Sequence, residues 1–431
     1  MTEGENENDD ENDHDSQVRT LVVAPGARVA VLATAFLGLV FDGVELGLMP
    51  VASLSVTRSL LGARYTDTLG GDWFAWLTAS LMLGAAIGGI VFGSLGDRIG
   101  RVRAMGASIL FYSCFAGLGA LVGSLEQLLV LRFLVGLGVG GMWPNGVALV
   151  SECWPNASRP FVAGVMGSGI NFGVLMLSQV ARLWHVTPDS WRWLFGWSAV
   201  PALLGVVVLF LPESPKWLAA RGAAKRPAPP LAELWRAPLL RLTLIGILLG
   251  SIPLVGAWAA SKWMIPWADS TAGTVQPGYK ASAQGWWALG ATLGSFCGAP
   301  IAGLLGRRVA YFFISLGASA LTCGMFTLTA PLRPEFLVVV FVQGFVATLF
   351  FGWLPLYLPE LFPTRIRATG SGIAFNAGRF ATAIGAFGAG LLVAVFQGNY
   401  ARVGAVVGLV YALGMIVIWW APDTTGRTLD E

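Results

Sequence analysis

Residues 41–50 read FDGVELGLMP, and between Val29 and about Val56 the two acids of this stretch, Asp42 and Glu45, are the only charges. On a helix, residues three apart share one face. A carboxylate near a bilayer centre costs about 2.5–3.5 kcal/mol on insertion scales, so that face points at an interior cavity and away from lipid. Two close carboxylates in a low dielectric do not both stay ionised. A group that takes up a proton on one side of a membrane and releases it on the other is what proton coupling needs. The alternative role for the pair is hydrogen bonding that only holds helices together.

Two cations lie in comparable surroundings. Arg132 opens the apolar run RFLVGLGVGG, and Arg379 lies well inside FNAGRFATAIG. Arg132 can be the counter-charge of Asp42 or Glu45, can receive a carboxylate substrate through a bidentate pair, or can snorkel to water from the end of its run. Arg379 is too deep for snorkelling and needs a partner or a wet cavity; anion binding is the preferred role. Asn145, Asn171, Gln343 and Asn376 are uncharged candidates for the same cavity, although helix–helix hydrogen bonds explain each equally well. Of the 18 Trp, most fall where an interfacial aromatic belt accounts for them. Trp258, near the outer end of its run, suits a planar ligand.

The elements that position these residues follow from composition. The chain of 431 residues is 55% hydrophobic and 12% charged, with mean hydropathy +0.68. A soluble domain carries about 25% charged residues, so the expected class is an all-α membrane protein. A membrane helix needs about 20 mostly apolar residues. Twelve such runs are found, near residues 29–56, 73–95, 104–124, 128–150, 161–183, 192–211, 239–261, 284–305, 309–330, 336–358, 368–395 and 401–420. With both termini placed in the cytoplasm, the inner segments hold 17 of the 27 Lys and Arg, and the outer segments eight. The positive-inside rule favours that orientation. The net charge of +3 hides an acidic start: the first 16 residues carry eight carboxylates and no Lys or Arg. Such a stretch buries too little to fold, and it is the reverse of a signal peptide.

The organisation expected is an acidic disordered cytoplasmic tail over 1–27, a six-helix half over 28–212, a Pro- and Arg-rich cytoplasmic loop over 213–238, a second six-helix half over 239–421, and a C-terminal tail over 422–431. Two pseudo-symmetric halves are a transporter architecture. The four Cys and two His have no metal or redox spacing, so no metal, cofactor or catalytic group is expected. No P-loop and no His-Glu-x-x-His is present, so neither an enzyme nor an ATP-driven pump is expected.

Gly93 to Arg101, GSLGDRIGR, has a shorter counterpart in GLLGRRVA, Gly303 to Ala310, at the same place in the second half. The first of these resembles the loop signature of the major facilitator superfamily, and the resemblance covers residues 28–421. The family resemblance implies that Asp97, with Gly93, Arg98, Gly100 and Arg101, forms a cytoplasmic latch, the acid bonding the other half in the outward-open state. It also implies inter-half ion pairs that close the cytoplasmic gate, drawn from Glu152, Arg159, Glu213, Glu360, Arg365 and Arg367. RFLVGLGVGGMWPNGVALVSE and PELFPTRIRATGSG resemble the metabolite:proton and aromatic-acid:proton symporters. PESPKWL resembles a sugar-porter signature. Asp-Gly-Val-Glu matches the paired acids of the aromatic-acid symporters with Glu in place of the second Asp. The resemblance thus implies a monomeric inner-membrane secondary transporter working by alternating access. Its expected cargo is a proton with a small organic acid, aromatic in the symporters it resembles, or else a sugar or polyol. A transporter-like receptor is the remaining alternative. No nucleic-acid partner is expected, and the other partner is the lipid bilayer.

Overall fold

The computed structural model of the protein describes residues 24–154, 159–222, 231–363 and 366–425. The expected disordered tail therefore lies outside the described residues up to position 23, as do Arg365 and the side chain of Arg159.

Among the described residues the chain is helical with no strand. The membrane elements are α1 (Pro25–Leu61), α2 (Asp67–Ile99), α3 (Arg101–Leu118), α4 (Leu125–Cys153), α5 (Arg159–Leu183) and α6 (Arg192–Val208), then α7 (Leu239–Ala272), α8 (Tyr279–Leu305), α9 (Arg307–Thr327), α10 (Pro334–Glu360), α11 (Arg367–Val395) and α12 (Tyr400–Trp420). Eleven of these are long and apolar enough to cross a membrane. α6 is the exception to the twelve expected. It is two short helices, Arg192–Trp197 and Pro201–Val208, joined by a turn. Pro201 has no N–H to carry the ladder across the join.

Side-chain oxygens start the outer ends of two helices. The Thr66 hydroxyl accepts from the N–H of Leu69 at 3.2 Å, and the Ser124 hydroxyl from that of Gln127 at 3.3 Å, satisfying N–H groups that have no intrahelical partner. The abundant glycine has its reason in two matching crossings. α2 packs on α4 and α8 on α10, the equivalent pairs of the two halves. A Cβ on Gly88 would lie 2.0 Å from the Leu137 carbonyl oxygen, and one on Gly298 1.9 Å from that of Leu349. Small residues let membrane helices approach this closely.

The two ends of the bundle differ. We call the end with the Arg-rich loops the inner end. At the outer end a single apolar cluster joins both halves, with Phe74 against Trp263 (ring centroids 4.8 Å apart) and Trp263 against Tyr400 (5.7 Å). Polar contacts cross the same seam. Tyr400 donates its hydroxyl to the Asp67 carbonyl at 2.5 Å, Lys280 donates to Ser55 at 2.9 Å, and Arg58 lies 3.4 Å from the Asp269 carboxylate. Below this, one cluster belongs wholly to the second half, and another chiefly to the first with a few residues of α7 and α11. The halves are thus fastened most firmly at the outer end.

Candidate functional site

Asp42 and Glu45 both lie in the middle of α1, 2% and 1% exposed. Gly43 between them is there for packing: a Cβ would sit 1.9 Å from the Ile170 carbonyl oxygen on α5. The two acids have different environments. Arg132 of α4, itself 1% exposed, donates to Glu45 Oε2 at 2.9 Å and to the Glu45 carbonyl oxygen at 2.9 Å. Of the roles open to Arg132 in the sequence, the counter-charge is the one observed; it does not snorkel. Asp42 has no ion pair within 4.0 Å among the described residues, and its buried Oδ1 has no hydrogen-bond partner. The cation that acts on it is Arg379, from the other half.

Arg379 is half-buried on α11 and reaches across the seam. One guanidinium nitrogen donates to the carbonyls of Ala85 (3.2 Å) and Gly140 (3.3 Å) in the first half. Asn376, one turn earlier, donates to the Ala86 carbonyl at 2.9 Å. Gly89 of α2 makes room for both, since a Cβ there would touch them at 3.0 and 3.2 Å. Trp143 and Phe375 stack beside them across the same seam, 6.1 Å apart.

The other uncharged candidates separate into two kinds. Asn171 bridges the halves, donating to the Ser295 hydroxyl at 3.0 Å. Asn145 stays within the first half, its amide given to the Phe92 and Gly141 carbonyls at 2.9 Å each. It ties α2 to α4 near the inner loop and does not face the acids. Gln343 accepts from Trp287 Nε1 at 2.7 Å and donates to Ser261 (2.7 Å) and Thr322 (3.0 Å). Its amide is fully used in holding α7, α8, α9 and α10 together. It therefore supports the wall of the cavity instead of lining it. Trp258 does line a cleft between the halves, with Leu46, Met49 and Thr78 among its neighbours.

Three residues near this region were not singled out from the sequence. Tyr112 of α3 is completely buried, feels the charge of both acids, and has a hydroxyl without a partner. Ser198, at the join in α6, lies beside Glu45. Lys262, just past the end of the expected run 239–261, is 1% exposed. Single hydroxyls in apolar runs carry no signal in a sequence, whereas Lys262 had one: the apolar run continues beyond it as MIPWA.

Charges along the seam of two helical halves, with eleven membrane-spanning helices among the described residues, agree with what comparison with known proteins finds. The profile of the Major Facilitator Superfamily matches residues 30–274, and that of the "Sugar (and other) transporter" family residues 231–431. The chain belongs to the major facilitator superfamily. A cis,cis-muconate transport protein of Acinetobacter baylyi is 30% identical to it over 365 residues, 81% of this chain and 84% of that protein. A sialic acid transporter of Escherichia coli is 27% identical over 395 residues, 88% of this chain and 89% of that one. Among solved structures, the xylose transporter XylE of E. coli in a partially occluded inward-open conformation shares the fold with a TM-score of 0.72, at 19% identity over 94% of this chain and 100% of that chain. The protein is a multi-pass membrane transporter and not an enzyme.

In this superfamily member the inner-end ion pairs among the described residues form within each half. Asp97 lies 2.5 Å from Arg101, four residues on, and Arg101 lies 3.9 Å from Glu152. Glu213 accepts from the N–H groups of Arg101 (2.9 Å) and Val102 (3.2 Å), a carboxylate at the positive end of α3. Gly100 just before it has φ 109°, and a Cβ would lie 2.1 Å from the Glu213 carboxylate. The second half repeats the plan. Arg307 makes a two-pronged pair with Glu360, at 2.8 and 3.2 Å, and the Arg307 N–H donates to the Thr425 hydroxyl at 3.1 Å. Ser214 donates to Glu152, and Thr424 to Glu360, in matching positions. Inter-half ion pairs were expected here. Among the described residues none exists at the inner end, and Asp97 bonds its own half. The conformation explains it: the fastened seam is the outer one. Arg367 donates to the Phe362 carbonyl at 3.3 Å, again within its half. Gly93 only faces Pro144, and Arg98 lies on the exposed surface.

Proposed function

We propose that the protein is a proton-coupled symporter of a small organic acid, working by alternating access of its two halves about the α1–α4–α11 site. The observation that carries the reading is the inequality of the two α1 acids. Each acid keeps one buried oxygen without a hydrogen-bond partner, but Glu45 is ion-paired to Arg132 at 2.9 Å, whereas Asp42 has no ion pair within 4.0 Å among the described residues and its nearest cationic influence is Arg379 of the other half. A carboxylate without a fixed partner is the one free to exchange a proton as the halves move. Arg379 shares its charge with Asp42 and with carbonyls across the seam, so protonation of Asp42 leaves the cavity more positive and draws an anion in. Asn171 and Asn376 cross the seam on either side and suit cargo contact. The inner-end pairs of Asp97, Arg101, Glu152, Glu213 and Glu360 form the gate that rearranges in the outward-open state. Both relatives named above are described as carrying carboxylates, muconate and sialic acid. We place both termini in the cytoplasm on the basis of the Lys and Arg distribution, and the protein in the inner membrane as a single chain on the basis of its superfamily and bacterial relatives.

A second reading, a sugar or polyol as cargo, is favoured by the match of residues 231–431 to the sugar-transporter profile. Uptake into proteoliposomes under an imposed pH gradient separates the two. Inhibition by carboxylates and not by sugars supports the acid. Inhibition by sugars alone moves the cargo to the second reading.

A further inference from the structure

Lys262 has no part in the scheme above, and its surroundings are unusual for a charge. Other buried cations of the bundle have anionic partners: Arg132 has Glu45 at 2.9 Å, and Lys280 has Asp269 at 3.2 Å. Lys262 is 1% exposed, has no carboxylate within 4.0 Å among the described residues, and its Nζ has no hydrogen-bond partner. It rests instead on two aromatic faces. Its Nζ is 3.3 Å from the ring centroid of Trp287 and 5.1 Å from that of Trp258, and these rings meet edge to face at 6.5 Å. Cation–π attraction holds a desolvated ammonium, but it leaves the three N–H donors unused.

The backbone is shaped to put Lys262 there. α7 widens into a π-helical turn over Gly256–Ala260 and tightens into a 3-10 turn over Ser261–Trp263. Such interruptions are frequent at functional sites. Gly256, where the widening starts, lets the Tyr411 ring of α12 pack against it, since a Cβ would meet that ring at 2.2 Å. Trp287 is fixed in turn by Gln343, which accepts from its indole N–H at 2.7 Å. Lys262 is one of the residues lining the cleft between the halves, with Pro50, Phe74, Thr78 and Met82. In this conformation the cleft has closed to about 10 Å³, room for one water, so a guest enters only as the halves part.

We infer that Lys262, clamped between Trp258 and Trp287, is the residue that receives the carboxylate of a planar organic acid, with the indole of Trp258 against the flat part of the guest. The inference rests on the organic-acid reading and adds a named residue and a shape requirement to it. A hydrogen bond to a charged group distinguishes an acid from its amide by roughly tenfold to a hundredfold.

The test compares benzoate and cis,cis-muconate with benzamide by calorimetric titration of the purified full-length protein. The expected result is that the wild type prefers benzoate to benzamide by at least tenfold. Lys262→Met should erase that preference while still binding benzamide, which shows that the cleft is intact. Lys262→Arg should restore part of it. If Lys262→Met keeps the preference for the acids within threefold of the wild type, Lys262 is not the receiver and the organic-acid reading stands without it. If the wild type binds xylose and none of the three probes, the inference and the reading under it fall together.

Discussion

The Glu45–Arg132 pair permits a quantitative test of how this membrane interior tolerates charge. The two side chains are each 1% exposed, with one N–O contact of 2.9 Å and a second guanidinium bond to the Glu45 carbonyl. At that distance, with an effective dielectric constant of about 20, the attraction is about 6 kcal/mol, set against desolvation of similar size. Removing one partner abandons the attraction and keeps the desolvation of the survivor. Arg132→Met and Glu45→Leu should therefore each destabilise the protein by about 3–5 kcal/mol. The double variant should lose far less than the sum, since it removes both charges and leaves apolar side chains of similar volume. The double-mutant cycle should then return a coupling energy of at least about 2 kcal/mol. The assay is unfolding by sodium dodecyl sulfate in mixed micelles, followed by tryptophan fluorescence. Single losses below about 1 kcal/mol that simply add would refute the reasoning and mean that water reaches the pair.

Two further predictions concern the ends of the bundle. Asp269 is 6% exposed and balances Lys280 at 3.2 Å while meeting Arg58 across the seam at 3.4 Å. Asp269→Asn should weaken the outer fastening by about 1–2 kcal/mol, a five- to thirtyfold shift toward the outward-open state. The readout is labelling of a cysteine placed at Thr78 by a membrane-impermeant thiol reagent, which should speed up by that factor. At the inner end, Gly100→Ala adds a Cβ at φ 109° that meets the Glu213 carboxylate at 2.1 Å. It should cost about 1–3 kcal/mol, visible as a lower melting temperature. Gly303→Ala, at a helical position with open space around it, should leave melting unchanged.

Much of the site was legible because its signals were local. Asp42 and Glu45 stood out against an apolar run, and the repeat of GSLGDRIGR in GLLGRRVA marked equivalent places, where Gly100 and Gly306 both take positive φ before a new helix. Arg132 was visible as a charge, but its choice of partner was not, since Glu45 lies 87 positions away in the chain. Lys262 lies deeper than the expected run 239–261 puts it. A span of conventional length ends α7 at residue 261, whereas the π-helical turn carries the helix on to Ala272 and takes the lysine inside. Gln343 looked like a cavity residue because an amide in an apolar run can serve either purpose; only the positions of Trp287, Ser261 and Thr322 decide it. The inner-end pairs depend on which conformation is adopted, and two conformations share one sequence.

Proton coupling through Asp42 is tested most directly by comparing two transport modes of Asp42→Asn in proteoliposomes. One is accumulation of labelled substrate driven by an inward proton gradient. The other is exchange of labelled for unlabelled substrate with no gradient. The expected result is loss of gradient-driven accumulation with exchange retained, because the site still binds and the halves still move, but no proton is carried. Gradient-driven accumulation by Asp42→Asn at the wild-type level would contradict the account.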